Sequence, residues 1–212
     1  MSTIKPRIAT DQWVTATWEK YIQIVDDPAY EKAKGYYHNG QMRIEMAALG
    51  HDHASDNAIV SFVINLFAGI RGIPLKCLIN CTFRKTGVRE CQPDISYYIG
   101  ERIQIVPRGT NIISLDTYQP PDLAIELGKT TIPDDLGRKR ILYEDLEIPE
   151  YWVVDVEQAQ VTAFSIADSG SRRITQSQVL PGFSIALLEE ALQRNSQGDQ
   201  SQVVAWLLTQ LQ

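Results

Sequence analysis

The sequence is poor in the residues that would staple or anchor it. Its three cysteines, Cys77, Cys81 and Cys91, are odd in number, and none shares the CxxC spacing of a zinc ligand pair. They argue against a disulfide framework and a zinc site, and read as strand thiols in a reducing compartment. No continuous apolar run approaches the ~18 to 20 residues of a membrane span. The opening MSTIKPRIAT has no apolar signal region, so cytoplasmic residence is the expectation. Positive charge is also short: 20 Lys and Arg face 26 Asp and Glu, a formal net charge of −6. That balance argues against a broad electropositive face for non-specific nucleic-acid binding, but is compatible with a local basic groove. No internal repeat is visible, and no long low-complexity segment.

What is present is enough for a core. The chain has 212 residues and 44% apolar content, which fits one decorated domain better than two. The pattern predicts a helical arm over 1–34, a main domain over 35–185 and a helical tail over 186–212. Residues 1–9 read as a loose arm, and Thr10 or Asp11 caps a helix running to Val25. A hairpin over 36–46 turns at Asn39-Gly40. An amphipathic helix over 53–71 follows, then strands over 75–83 and 92–99. The stretch 100–119 is long and irregular. Strands over 150–156 and 160–166, an edge segment over 180–185 and helices over 186–193 and 203–211 complete the chain. The fold class is α/β (α+β), a mixed sheet flanked by helices.

The stretch from Pro120 to Tyr143 organises the rest. Residues 122–127 (DLAIEL) alternate in the period of a strand. Leu123 and Ile125 take one face, and Asp122, Ala124 and Glu126 the other. A helix over 134–146 follows, on which Leu136, Lys139, Tyr143 and Leu146 form one stripe. Lys139 therefore sits inside the apolar stripe. A solvated i, i+4 pair with Asp135 is the plainer reading, worth only a few tenths of a kcal/mol. That reading does not explain why an inward lysine follows so soon after an inward glutamate.

Asp94 opens the strand over 92–99, which is expected to lie beside the one carrying Glu126. Two carboxylates on adjacent strands suit one hard cation, since magnesium takes one or two carboxylates plus waters and phosphate oxygens. Such an ion eases deprotonation of water and offsets phosphoryl charge, and a nearby lysine orients water and phosphate. The set suits phosphodiester hydrolysis. Asp94, Glu126 and Lys139 are the candidate catalytic residues, with Asp94 and Glu126 as ligands of Mg²⁺ or Mn²⁺. Glu45 and His53 are candidate outer members of the site. Asp122 and Tyr143 are accessory candidates, with strand capping and core packing as their plainer roles.

The residues Pro93-Asp94-Ile95, the run 121–126 (PDLAIE), Asp135-Leu136-Gly137-Arg138-Lys139, Tyr143 and the block 148–155 (IPEYWVVD) carry a resemblance. Over about 35–185 the chain resembles the restriction endonuclease family placed in the PD-(D/E)XK nuclease superfamily. The resemblance implies a nuclease-like core with Asp94 and Glu126 as metal ligands. In that superfamily the lysine usually stands two residues after the second acid, where this chain has Gly128. Lys129 would point to the opposite face of a continuing strand, so Lys139 is the better candidate.

The expectation is a magnesium-dependent endonuclease acting on DNA. The competing expectation is a binding or regulatory module that keeps the fold without efficient chemistry. Cutting both strands of a duplex needs two sites, so a homodimer is expected, with the last helix as its contact.

Overall fold

The protein's structure is a computed structural model that describes residues 8–46 and 50–211. Of the loose arm expected over 1–9, the first seven residues lie outside the described residues. The helix expected from Thr10 begins later. β1 (Val14–Thr15) first pairs with Met42 and Gln41 of β3 (Gln41–Met46), and α1 is Trp18–Val25. The reason is local: Thr17 is extended and its side chain accepts from Lys20 N, so the cap lies there and the β-branched pair before it joins a sheet.

β2 (Ala33–His38) and β3 form the expected hairpin, with Asn39 and Gly40 at φ 49° and 70°. Two consecutive left-handed residues are what a two-residue turn matched to strand twist requires. α2 (His51–Arg71) starts two residues before the expected helix. The single strand expected over 75–83 is two: β4 (Leu75–Ile79) and β5 (Thr82–Lys85), parted at Asn80 with φ 50°. β5 pairs with β6 (Arg89–Cys91), so the charged stretch between them is a hairpin. β7 is Ile95–Ile99, and 100–119 contains a 3₁₀ turn and β8 (Ile112–Ser114), which runs parallel to β5.

β9 (Leu123–Gly128) leads through α3 (Ile132–Asp134), a π-helical turn (Asp135–Lys139) and α4 (Arg140–Asp145) into β10 (Glu150–Asp155). β9 and β10 are parallel neighbours, so this is a strand–helix–strand crossover. β11 (Gln160–Ala167) and β12 (Gly170–Ile174) finish one sheet. The expected edge segment over 180–185 forms only a single bridge, Gln176 to Ser184. α5 (Ile185–Gln197) and α6 (Gln200–Leu211) close the chain.

Instead of one mixed sheet there are two of six strands, ordered β1-β3-β2-β6-β5-β8 and β12-β11-β10-β9-β7-β4. Each is mixed. On one face of the second sheet, Leu123, Ile125 and Leu127 of β9 and Trp152 of β10 pack under Val60, Val63 and Phe67 of α2. The tail joins this core through Leu188 and Leu192 of α5 and Val203, Leu207 and Leu211 of α6. The apolar stripe of α6, expected as a dimer contact, is thus buried against its own chain. The opposite face packs Ala124, Tyr151 and Val153 against Tyr36, Phe83 and Cys91 of the first sheet and against Leu142 and Tyr143 of α4. α1 covers the outer face of the first sheet with Tyr21 and Ile24. Among the described residues no helix is long and apolar enough to cross a membrane.

Candidate active site

The alternation of β9 decides where its acid goes. With Leu123, Ile125 and Leu127 committed to the α2 side, Ala124 and Glu126 face the seam between the two sheets. Glu126 is buried there, and its Oε1 accepts from Tyr36 Oη at 2.9 Å and Tyr143 Oη at 2.6 Å. Among the described residues its Oε2 accepts no hydrogen bond. Tyr143, whose plainer role was packing, therefore also orients the glutamate.

Asp94 immediately precedes β7. Its Oδ2 accepts from Leu127 N at 2.9 Å, which ties it to the strand carrying Glu126. Its Oδ1 pairs with Lys34 Nζ and lies 3.4 Å from His53 Nε2. Burial pushes the Asp94 carboxyl up, but Lys34, His53 and the Leu127 amide outweigh it and hold it well below the usual range. Glu126 goes the other way. Burial lifts it to about 8, with Asp94 and Asp135 adding to the rise and Lys139 and Lys34 opposing it.

Lys139 is buried at the end of the π-helical turn. Its Nζ lies 3.0 Å from Glu45 Oε2, 2.9 Å from Asp135 Oδ1 and 3.8 Å from Glu126 Oε1, and sits 4.3 Å from the ring centre of Tyr36. Burial favours the neutral amine, yet the three carboxylates more than offset it and raise the lysine above its ordinary value. The i, i+4 contact with Asp135 does form, but inside the protein. Glu45 is further held by Arg43 Nε at 2.6 Å; burial opposes its charge, and Lys139 and Arg43 outweigh that and lower it.

Asp94, Glu126, Lys139, Glu45 and His53 line one cleft of about 550 Å³, together with Lys34, Lys129 and the first turn of α2. Asp122 does not reach it. That residue stands at the other end of β9, accepting from Ile99 N at 2.8 Å and pairing with Arg102 at 2.5 Å. The reason is length: Glu126 lies four residue steps further along, ~13 Å at about 3.3 Å per step. Its role is the plainer one, pinning the start of β9 to the end of β7.

Sequence reasoning missed Lys34 and Tyr36. Lys34 pairs across the hairpin with Glu45, but the hairpin expected over 36–46 stopped short of it, whereas β2 begins at Ala33. Nothing in the sequence said that this hairpin would lie over Asp94.

The donor chemistry fits a hard divalent ion. Among the described residues no three His, Cys, Asp or Glu side chains form a ready metal cage, but magnesium needs only one or two carboxylates. Asp94 and Glu126 supply two in one cleft. Glu126 keeps one oxygen without a donor among the described residues, which leaves that oxygen free to take a cation.

A solved structure described as a putative nuclease belonging to DUF820, from Anabaena variabilis ATCC 29413, is similar to this chain. It is 19% identical, with 83% of this chain and 98% of that chain covered and a TM-score of 0.57. That likeness concerns the fold, which is nuclease-like. No curated protein matches the chain. The model of the Uma2 family, described as "Putative restriction endonuclease", matches residues 18–204, and the chain belongs to that family.

Proposed function

We propose that the cleft hydrolyses phosphodiester bonds of DNA with Mg²⁺ or Mn²⁺ held by Asp94 and Glu126. The observation that supports this reading is the convergence of Asp94, Glu126 and Lys139, from three separate elements, on one cleft. When bound, the ion supplies Lewis acidity that offsets phosphoryl charge and makes water easier to deprotonate. Tyr36 and Tyr143 hold one oxygen of Glu126 so that the other faces the cleft. Lys139, fixed by Glu45 and Asp135, presents a permanent positive charge beside Glu126, where it steadies the attacked phosphate. His53, next to Asp94, is placed to hold or pass a proton at Nε2.

A second reading has its own support. The Lys139 ammonium already faces three carboxylates, which suits a structural counter-ion in a binding module without chemistry. The test is cleavage of a supercoiled plasmid with Mg²⁺ or Mn²⁺ by wild type, Asp94→Ala and Lys139→Met. The hydrolytic reading expects metal-dependent nicking that falls at least about a hundredfold in both variants. Folded variants that nick like wild type would remove it, and a wild type that binds duplex without nicking would support the module. A homodimer belongs to the same proposal, and sedimentation with and without duplex tests it.

A further inference from the structure

The chemistry above gives no task to Lys34, a charged residue of the cleft in direct contact with Asp94. Lys34, on β2, pairs with Asp94 Oδ1, the same oxygen that His53 approaches. Lys34 and Lys139, which both reach the acidic side of the cleft, are held differently. The Lys139 side chain is 2% exposed and faces three carboxylates, so it has nowhere to go. The Lys34 side chain is 12% exposed, lies among the cleft-lining residues and has one carboxylate partner. A lysine is a point charge on a flexible four-carbon stem, able to leave a partner without moving the backbone.

We propose that Lys34 is a tethered counter-ion that occupies the cation position on Asp94 and withdraws when a divalent ion binds. The inference rests on the reading of Asp94 and Glu126 as ion ligands. A buried carboxylate cannot stay unpaired at tolerable cost, so an empty site needs a substitute cation, and Lys34 supplies it. The backbone amide of Leu127 fixes the other Asp94 oxygen, so the carboxylate does not turn away from the contest. Ion and lysine compete for Oδ1. The protein thereby keeps its acidic seam folded without metal, and binds metal more weakly than its carboxylates alone would.

The test is titration calorimetry of Mn²⁺ into wild type, Lys34→Met, Lys34→Arg, Lys129→Met and Asp94→Ala at one pH and ionic strength. Removing the competitor should tighten binding in Lys34→Met by roughly tenfold or more, the scale of one displaced ion pair. Lys34→Arg should not tighten it. Lys129, which lines the same cleft but pairs with Glu157 at 2.8 Å, reports the general field of a removed charge, and its variant should stay within about twofold of wild type. In the unaltered protein, the Lys34 amine should acylate faster with Mn²⁺ present than without, read by mass spectrometry. That measurement stands even if Lys34→Met does not fold. Unchanged affinity in Lys34→Met, an equal gain in Lys129→Met, or unchanged Lys34 labelling on saturation would overturn the tethered counter-ion alone. Saturable binding that survives in Asp94→Ala would instead overturn the ion site on which it rests.

Discussion

Lys139 Nζ lies 2.9 Å from Asp135 Oδ1 across a single π-helical turn, and 3.0 Å from Glu45 Oε2 on a strand far away in sequence. One ammonium thus ties the β9–β10 crossover to the hairpin of the other sheet. Removing it leaves buried Asp135 without a cation and Glu45 with Arg43 alone. Lys139→Met should cost about 3 to 5 kcal/mol near neutral pH, and less in acid, where Glu45 and Asp135 take up protons. Urea unfolding at two pH values measures both. A loss that does not shrink in acid would mean the methionine fails through packing and not through charge.

The metal-free protein should lose stability as pH rises from about 4.5 to about 8. Burial holds Glu126 near 8 in the folded chain, against an ordinary 4.5, despite the opposing Lys139 and Lys34. Between those values the folded state keeps a proton that the unfolded chain has lost, so stability falls as pH rises through that window. Asp94 acts elsewhere. Its depressed pKa contributes stability that is present above its ordinary 3.8 and lost in stronger acid. Melting in EDTA from about pH 5 to 9 should show the decline, and Glu126→Gln, which cannot ionise, should flatten it. Buried Asp135, Glu90 and Glu150, all raised chiefly by burial, leave a smaller slope of the same sign. An equal slope in the variant would mean that Glu126 ionises freely in the folded chain.

The legible parts of this site are those set by short-range periodicity. Strand alternation put Glu126 opposite Leu123 and Ile125, and the helix stripe put Lys139 and Tyr143 inward. The Asn39-Gly40 turn fixed the hairpin register. What stayed hidden depends on how distant elements meet. No local pattern says that β2 and β3 build a second sheet over Asp94, so nothing singled out Lys34 or Tyr36. Asp122 shows the opposite error. Alternation put it on the correct face, but a face is longer than a site, and the cleft occupies only one end of it.

A buried acid outside the cleft gives a control for these readings. Glu150 on β10 accepts from Trp152 Nε1 at 3.0 Å, Ser177 Oγ at 2.9 Å, Val179 N at 3.0 Å and the Gln178 amide. All four partners donate, so both oxygens are needed as acceptors. Glu150→Gln turns one of them into a donor facing donors, which should cost about 1 to 3 kcal/mol. Manganese affinity should not change, since the residue fixes the loop over 177–179. Unfolding and titration of the same sample check the pair of outcomes, and weakened ion binding would show that this loop supports the cleft.

Gly128 stands two residues after Glu126, where the resemblance would have a lysine, and a side chain there would crowd two neighbouring side chains. A Cβ there would collide with Thr131 Oγ1 and lie 2.9 Å from Asp135 Oδ2, one of the groups surrounding Lys139. Without a Cβ at 128, the Thr131 hydroxyl and the Asp135 carboxylate lie close against the backbone there. Gly128→Ala should therefore cost about 1 to 3 kcal/mol, as overpacking does, and should lower cleavage by displacing Asp135. The sharper experiment combines Gly128→Lys with Lys139→Met, which returns a lysine to the usual place while removing the one from the helix. It should not restore metal-dependent nicking, because the new side chain competes for the volume that Thr131 and Asp135 hold. Recovery to near wild-type nicking would mean that the seam accepts its lysine from either element, and that the glycine reflects no steric requirement.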